Sequence, residues 1–387
     1  MTARRRLYAL LAAGCVVVGS VPVGPARSGA APVFRSSAWL PYWRMSEATN
    51  EVVQNAGTLR TASMFWYDAK SCSSIQGWSG AGDRTVIARL RARHVAVVAT
   101  VTASGLTPRA AVACFSDPQS RAAHVARLVR LVRSRPYAGL DLDYEHLALT
   151  NDARLAARVQ WAFSVFVRQL CRRLRVVHKQ CIVTVMPRTS DVTPAWRGKL
   201  SPGVYDYAAL GSAVTRLRVM AYDQHAGAYG PGPIAGYPWV QSIIRYTAGK
   251  VPLGKVELGV PTYGRDFARG SSVALAGDEP IALARSHHAA VHWSATQREC
   301  TFRYRSGGVT HTVWFSGPHA VAVRTGLARA SGMAGAAYWA AGLDMSGTWA
   351  AVAGGHASSP AQSGSGGRND YPRGDAVTNG VGISSST

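Results

Sequence analysis

The chain is short of acidic residues: only 20 of its 387 residues are Asp or Glu, against 43 Lys or Arg, and its formal net charge is +23. It also lacks any basic helix with interleaved aromatic residues and any zinc-finger spacing. These absences argue against the common nucleic-acid modules, and we expect no nucleic-acid partner. The dispersed positive charge favours an anionic surface instead, for which a cell-wall polymer and a phospholipid surface are equal candidates.

Cysteine is scarce as well. The six cysteines include no Cys-x-x-Cys pair, which argues against a structural zinc site. The histidines indicate no metal site either, because His225 is isolated and His287, His288 and His292 have no acidic partner at ligand spacing. We therefore expect no metal and no cofactor.

The N-terminus has the pattern of an export signal. Three arginines, Arg4 to Arg6, precede an apolar run over residues 7–23, and the small residues 28–30 follow. We predict cleavage after Ala30, which gives a signal peptide at residues 1–30 and a secreted or cell-wall-associated protein. The alternative is an uncleaved membrane anchor, because the run is near the lower length limit for a membrane span. Cys15 also loosely resembles the acylated residue of a lipoprotein signal, although the apolar run continues past it.

Export would place the remaining cysteines in an oxidising compartment, where structural disulfides are favoured. Cys171 and Cys181 flank a predicted helix-to-strand connection, and Cys72 and Cys114 lie in predicted loops after consecutive strands. We therefore predict the disulfides Cys72–Cys114 and Cys171–Cys181. Cys300 is left over and is predicted to be a buried, inert thiol.

Short apolar runs alternate with amphipathic segments through most of the chain. The predicted strands are residues 38–43, 62–67, 95–101, 139–144, 182–186, 217–222, 256–260 and 335–339. Apolar residues recur at helical spacing in residues 121–133 and 152–177, which predicts helices there. Eight such strand and helix units favour a parallel sheet closed into a (β/α)8 TIM barrel over residues 36–352. The alternative is a doubly wound open sheet, but no Gly-rich phosphate loop follows the first strand.

The segment between the seventh and eighth predicted strands is too long for one loop and one helix. Within it, residues 301–305 and 311–315 flank a Ser306-Gly307-Gly308 turn, which is typical of a β-hairpin. We predict a small α+β insertion at about residues 266–317. In residues 355–387 the composition shifts to Gly, Ser, Asn and Thr, which predicts a disordered tail.

Residues 138–146, Ala-Gly-Leu-Asp-Leu-Asp-Tyr-Glu-His, place three carboxylates at alternate positions of an apolar run. Side chains alternate between the two faces of a strand, so Asp141, Asp143 and Glu145 share one face. Stacked carboxylates are costly to bury and persist mainly where shifted pKa values are used. We therefore predict an acid-catalytic site here. The alternative is an edge strand with three solvated acids.

The motif Asp-Leu-Asp-Tyr-Glu resembles the D-x-D-x-E core of glycoside hydrolase family 18, whose signature lies on the fourth barrel strand. Three further segments resemble the family in the same order: Met220-Ala221-Tyr222-Asp223, residues 258–265 (Leu-Gly-Val-Pro-Thr-Tyr-Gly-Arg) and Ala337-Tyr338-Trp339. The resemblance covers about residues 39–349 and is strongest to the bacterial spore-cortex-lytic and cell-wall N-acetylglucosaminidase branch. One departure is Ala138, where the family usually has another Asp. The support which that group gives at the base of the strand must come from elsewhere or be absent.

The resemblance implies a substrate-assisted mechanism. Glu145 would protonate the glycosidic oxygen, and the 2-acetamido group of the substrate would attack the anomeric carbon. Asp143 would orient the acetamide and stabilise its developing charge. Asp141 would share a proton or a hydrogen bond with Asp143, so that the two titrate as a pair.

The resemblance also implies residues that bind the sugar. Tyr222 would bind the acetamide carbonyl, Asp223 would contact the sugar, and Trp339 would form an apolar floor below the reacting ring. Met220 belongs to the same strand-six motif and is included in the predicted substrate-binding set. Ordinary packing in the barrel is the alternative for the two aromatic residues.

Three further aromatic residues lie at the ends of the first two predicted strands. Tyr42 is predicted to line the substrate groove, and Trp66 and Tyr67 are candidates for the same position. Packing is an equally good explanation for all three.

Together these features predict an exported, monomeric glycoside hydrolase that cleaves β-1,4 linkages at N-acetylglucosamine in peptidoglycan or chitin-like polymers. The alternative is a glycan-binding or wall-binding protein with little or no catalysis. Such relatives usually lose the equivalent of Glu145, so its presence favours the enzyme.

Overall fold

The computed structural model describes residues 34–192 and 201–354. The predicted export signal, residues 1–30, and the predicted tail, residues 355–387, lie outside the described residues. Within the described part, no helix combines the length and apolar character that a membrane span requires.

Eight parallel strands form a closed barrel. The strands of the described residues are β1 (Arg35–Pro41), β2 (Leu59–Ser71), β3 (Ser74–Gly77), β4 (Ala96–Thr102), β5 (Gly139–Asp143), β6 (Gln180–Val185), β7 (Arg216–Val219), β8 (Val256–Pro261), β9 (Gly264–Ala268), β10 (Ser271–Leu275), β11 (His292–Ser294), β12 (Glu299–Ser306), β13 (Val309–Phe315) and β14 (Gly335–Trp339). The barrel order is β1-β2-β4-β5-β6-β7-β8-β14, and β14 pairs with β1 to close it. The predicted (β/α)8 barrel is confirmed, and all eight predicted strands occur.

The helices lie between the barrel strands and cover the outside of the sheet. They are α1 (Met45–Gln54), α2 (Arg84–Ala92), α3 (Pro108–Ser116), α4 (Pro118–Arg133), α5 (Ala153–Val176), α6 (Tyr207–Ala213), α7 (Tyr237–Ala248), α8 (Glu279–Ser286), α9 (Pro318–Ala330) and α10 (Thr348–Ala353). Four of them begin after an Asp whose carboxylate accepts hydrogen bonds from backbone N–H groups of the first turn, at Asp83, Asp117, Asp152 and Asp206. The two predicted helices correspond to α4 and α5.

The segment between β8 and β14 contains the predicted α+β insertion. Strands β9 to β13 form an antiparallel sheet in the order β10-β9-β13-β12-β11, and α8 belongs to the same segment. The predicted hairpin is β12 and β13, which are joined by the two-residue turn Gly307-Gly308. Both glycines have positive φ, 53° and 74°, which a tight turn between twisted strands requires.

Both predicted disulfides are present, Cys72–Cys114 and Cys171–Cys181. One detail of the prediction is wrong, because Cys114 lies within α3 rather than in a loop. Cys300 is the free cysteine of the described residues and is partly buried on β12. Burial, with a smaller effect of the neighbouring Glu299 carboxylate, raises the pKa of the Cys300 thiol to about 11, which favours the protonated thiol. Its inertness stays a prediction.

His124 on α4 forms a hydrogen bond with Tyr144, which follows β5 and points to the outside of the barrel. Its Nδ1 lies 2.9 Å from the backbone oxygen of Cys72, and its Nε2 lies 3.0 Å from the Tyr144 hydroxyl. A carbonyl can only accept, so Nδ1 carries the hydrogen and Nε2 of the neutral ring accepts from Tyr144. Phe115 and Phe166 pack beside the ring, which is fully buried. The imidazole thus joins the β2–β3 turn, α4 and the residue between Asp143 and Glu145.

The burial of His124 predicts a loss of stability in acid. Burial lowers the pKa of His124 from 6.5 to about 4. Because the folded pKa lies below the unfolded one, the unfolded chain binds the proton first. The contribution of neutral, buried His124 to the free energy of unfolding is therefore fully present above about pH 6.5 and is lost as the pH falls to about 4. The difference corresponds to about 3 kcal/mol in the free energy of unfolding.

Urea unfolding at pH 7, 5.5 and 4 measures this effect. In His124→Gln the part of the pH dependence that belongs to this residue disappears, whereas His292→Gln, at an exposed position, keeps the wild-type profile. An unchanged profile in His124→Gln would show that another group is responsible.

Candidate active site

The three predicted carboxylates lie at the C-terminal end of β5, where active sites of such barrels open. Asp141 and Asp143 are buried, and Glu145 follows the strand and is partly buried. Asp141 contacts side chains of β1 and β7 across the barrel interior, whereas Tyr144 contacts α4 on the outside. The predicted alternation of the two faces is therefore present.

Asp141 is held by four hydrogen bonds and is not exposed to solvent. Its Oδ2 accepts from Trp39 Nε1 at 2.9 Å, Thr100 Oγ1 at 3.2 Å and Arg218 Nη1 at 2.8 Å. Its Oδ1 accepts from Thr184 Oγ1 at 2.8 Å. Both oxygens of this buried carboxyl group therefore have hydrogen-bond donors.

Arg218 on β7 is the positive charge of the barrel interior and is fully buried. Besides Asp141, it contacts Glu257 of β8, with Nε 2.6 Å from Oε2, and Ser63 of β2, with Nη1 2.6 Å from Oγ. Burial alone would lower the pKa of Arg218, but the carboxylates of Glu257 and Asp141 outweigh it and raise the pKa. Arg218 thus joins strands β2, β5, β7 and β8 through their side chains in the barrel interior.

Asp143 is buried between charges of its own sign. Burial raises the pKa of Asp143 well above its usual range, the charges of Glu145 and Asp141 raise it further, and Arg218 opposes them only in part. Its Oδ1 has no hydrogen-bond partner among the described residues. The surroundings of Asp143 therefore favour its protonated form, and one of its oxygens is available to a ligand.

The expected hydrogen bond between Asp141 and Asp143 is absent from the described residues. Asp141 is already satisfied by its four donors, and it acts on Asp143 through its charge. The electrostatic coupling of the pair is present, but the shared hydrogen bond is not.

Tyr222 lies beside the carboxylates, just after β7. Burial raises the pKa of Tyr222 well above 10, and the charges of Asp143 and Glu145 contribute to the shift. The hydroxyl is therefore a neutral hydrogen-bond donor next to both acids. Met220 is also buried and lies after the end of β7 at Val219, because the observed strand is shorter than predicted.

Asp223 follows at positive φ, 56°, and points to the insertion. It accepts from the Tyr263 hydroxyl at 2.5 Å and from two nitrogens of Arg265 at 2.9 and 2.8 Å. A two-pronged arginine contact fixes both carboxylate oxygens in one plane. The segments 220–223 and 258–265, recognised separately in the sequence, thus meet at this carboxylate.

Trp339, at the end of β14, lies in an aromatic cluster. Its ring centroid is 5.1 Å from that of Phe65, 5.8 Å from that of Trp39 and 6.4 Å from that of Trp43. Trp43 is 38% exposed, so the cluster reaches the surface. The predicted position of Trp339 at the end of the eighth strand is confirmed, and its contact with a sugar stays a prediction.

Tyr42 lies in a short 3-10 turn after β1 rather than in the strand. Its ring stacks on Trp78 at 4.9 Å with an angle of 7° between the planes, and Trp78 is 36% exposed. Trp66 is fully buried and does not line the groove, contrary to the suggestion from the sequence. The pairing of β2 with β4 shifts between Phe65 and Tyr67, and such a bulge reverses the faces that side chains take.

Tyr67 was the other candidate on this strand. It is largely buried, and its hydroxyl lies 2.8 Å from that of Tyr137. Phe65 is the residue of this strand that reaches Trp339.

Among the described residues, the one group of potential metal ligands within reach of one another is Cys72, Cys114 and His124, and its two cysteines form a disulfide. Within the same part of the chain, His225 Nδ1 is buried without a hydrogen-bond partner, and its ring packs against Gly232.

Arg218 and Glu257 were not predicted from the sequence to belong to the site. Both lie inside predicted strands, 217–222 and 256–260, that are otherwise mostly apolar. Opposite charges on two neighbouring core strands are the signal that could have identified them, because buried charges occur mainly in pairs.

Removal of Arg218 should destabilise the barrel strongly. In Arg218→Met the carboxylates of Asp141 and Glu257 stay buried without a cation, which costs about 3–5 kcal/mol in the free energy of unfolding. Arg216→Met on the same strand, where the side chain forms no ion pair within the described residues, should change it by less than about 1 kcal/mol. Equal losses for both variants in urea unfolding would contradict this role.

The chain matches the model of glycosyl hydrolases family 18 over residues 51–344. It is 30% identical over 231 residues to YdhD of Bacillus subtilis (strain 168), whose name assigns it to the glycosylases, across 58% of this chain and 52% of that protein. It is 29% identical over 197 residues to the cortical fragment-lytic enzyme of Bacillus anthracis, across 49% of this chain and 44% of the enzyme. The chain thus spans about half the length of these curated relatives.

A solved structure shares the whole barrel. The chitinase of Chromobacterium violaceum ATCC 12472 superposes with a TM-score of 0.73 at 25% identity, over 83% of this chain and 98% of that one. The family model covers well over half of the chain. The matched residues include the three carboxylates Asp141, Asp143 and Glu145, as well as Arg218, Tyr222, Asp223 and Trp339. The chain therefore belongs to glycosyl hydrolases family 18.

Proposed function

We propose that the chain hydrolyses β-1,4 linkages next to N-acetylglucosamine, in peptidoglycan or a chitin-like polymer, by substrate-assisted retaining catalysis. The observation that carries the proposal is Asp143, a carboxyl buried between Asp141 and Glu145, whose pKa is raised by burial and by these two acidic neighbours. A conventional retaining enzyme needs a carboxylate nucleophile across the scissile bond from the acid. Here the acids come from one strand, which suits a mechanism in which the substrate supplies the nucleophile.

Glu145 provides the acid. It donates its proton to the glycosidic oxygen while the bond from that oxygen to the anomeric carbon breaks. The carbonyl oxygen of the substrate's 2-acetamido group forms the new bond to the anomeric carbon, which gives a cyclic oxazolinium ion. Water then attacks the same carbon and gives a proton back to Glu145, so the enzyme is restored.

Asp143 and Tyr222 act on the acetamide. The Asp143 oxygen without a protein partner can accept the acetamide N–H, and the carboxyl stabilises the positive charge that grows on this group. The neutral Tyr222 hydroxyl can donate to the acetamide carbonyl and hold it near the anomeric carbon. The Asp223 carboxylate and the Trp339 ring are positioned to bind the sugar around this centre.

The choice of polymers is supported by the relatives. One is named a cortical fragment-lytic enzyme, and a structural neighbour is named a chitinase. N-acetylglucosamine is common to peptidoglycan and chitin, and the mechanism requires only its acetamido group. Export is supported by the N-terminal charge and apolar pattern and by two disulfides, which are typical of oxidising compartments.

Product analysis tests the proposal. Purified peptidoglycan and chitin oligomers are treated with the wild type and with Glu145→Gln, and the products are identified by mass spectrometry. The wild type should release fragments with N-acetylglucosamine at the new reducing end, and the variant should fold normally but turn over about 10²–10⁴-fold more slowly. Glu47→Gln, at an exposed position of α1, is the matched control and should retain full activity.

If the wild type released no product from either polymer while both proteins stayed bound to the glycans, the catalytic proposal would fail. A glycan-binding protein would then be the correct description.

A further inference from the structure

The outer flank of the barrel carries an unusual concentration of arginine. Residues 84–138 contain ten arginines and one acidic residue, Asp117. The carboxylate of Asp117 accepts the backbone N–H of Ser120 at the start of α4, so it is engaged in capping that helix. The positive charge of this flank therefore lacks a local counterion from the same segment.

Six of these ten arginines line three adjacent cavities that share Ser134. The first lies between α4 and α5 and has a volume of about 620 Å³, the second lies between α4 and the β2–β3 hairpin with about 460 Å³, and the third lies beside α2 with about 290 Å³. Seven arginines and no acidic residue belong to their linings. Among the described residues, none of these arginines forms an ion pair.

The first cavity has charged walls and an apolar floor. Its walls carry Arg130 and Arg133 of α4 and Arg173 of α5, which are all exposed, and its floor is apolar, with Ala126 and Val129. Arginine guanidinium groups bind phosphate groups in a two-pronged geometry. Charged walls over a small apolar floor suit a chain in which phosphates alternate with short uncharged units.

We propose that this flank is a docking surface for a linear phosphodiester polymer without bases, of the poly(glycerol phosphate) kind. Three cavities that meet at one point require an occupant that bends, which a glycerol phosphate chain does more readily than a polymer of sugar rings. The inference does not depend on the proposed hydrolysis.

Two other anionic partners fit less well. Proteins that bind single-stranded nucleic acid stack the bases on exposed aromatic side chains. The one aromatic residue in the three linings is Tyr67, which is 9% exposed. A membrane surface would meet the tips of the arginines but would leave the cavities below them empty.

The first cavity lies toward the opposite end of the barrel from the catalytic face. Ser134 lies between the end of α4 and the start of β5, which is the N-terminal end of that barrel strand. The acids lie at the C-terminal end of the same strand. A polymer bound at this flank would therefore hold the protein on an anionic layer while the groove stays open to a glycan.

The test compares two triple variants of the full chain with equal loss of charge. One is Arg130→Gln/Arg133→Gln/Arg173→Gln. The control is Arg154→Gln/Arg158→Gln/Arg285→Gln, whose positions are exposed and outside the three cavities. Fluorescence anisotropy measures binding of labelled poly(glycerol phosphate) between 50 and 200 mM salt, and thermal unfolding checks that each variant is folded.

The cavity variant should bind about tenfold or more weakly at low salt, and its salt dependence should be less steep by about two counterions, because three phosphate contacts are lost. The control should change the Kd by less than about threefold. Similar losses in both variants would show that only net charge matters and would overturn the proposal. Tighter binding to single-stranded DNA, to polygalacturonate or to phosphatidylglycerol vesicles of equal charge would also overturn it.

Discussion

One buried guanidinium, that of Arg218, faces three buried carboxylates of the barrel interior, Asp141, Asp143 and Glu257, and the chemistry of the site depends on which of them it contacts. Arg218 contacts Asp141 and Glu257 directly and, among the described residues, donates no hydrogen bond to Asp143. Asp141 accepts four hydrogen bonds, one of them from the Arg218 guanidinium. Asp143 is buried between Asp141 and Glu145, and burial and these like charges raise its pKa, which Arg218 opposes only in part. Two acids of the same type on one strand thus have different surroundings, and the surroundings of Asp143 favour its neutral form.

The outer side of the same strand is fixed as firmly as the inner side. Tyr144 separates Asp143 from Glu145 and donates to His124, which in turn donates to the backbone of Cys72. Cys72 is joined by a disulfide to α3, so the hairpin after β2, two helices and the catalytic strand are connected. Positioned acids of this kind need support of this rigidity, since small displacements of a catalytic group reduce rates strongly.

Much of this architecture could be predicted from the sequence, and the failures have definite physical reasons. Alternating apolar and polar positions fix the strands and the face of Asp141, Asp143 and Glu145, because the period of a strand is a local property. The contact of Arg218 with Asp141 could not be predicted, because it joins residues 77 positions apart in the chain. The position of Trp66 was misjudged because the irregular pairing beside it changes the face, and such irregularities leave little trace in the sequence.

The central claim is that the acetamido group of the substrate, not a carboxylate of the protein, attacks the anomeric carbon. Cleavage rates of matched N-acetylglucosamine oligomers whose reacting sugar carries an acetyl, fluoroacetyl, difluoroacetyl or trifluoroacetyl group on its nitrogen test it most directly. Each fluorine makes the amide oxygen a weaker nucleophile, so the rate should fall steeply along the series. Equal rates for all four oligomers would show that a carboxylate or water attacks instead and would contradict the account.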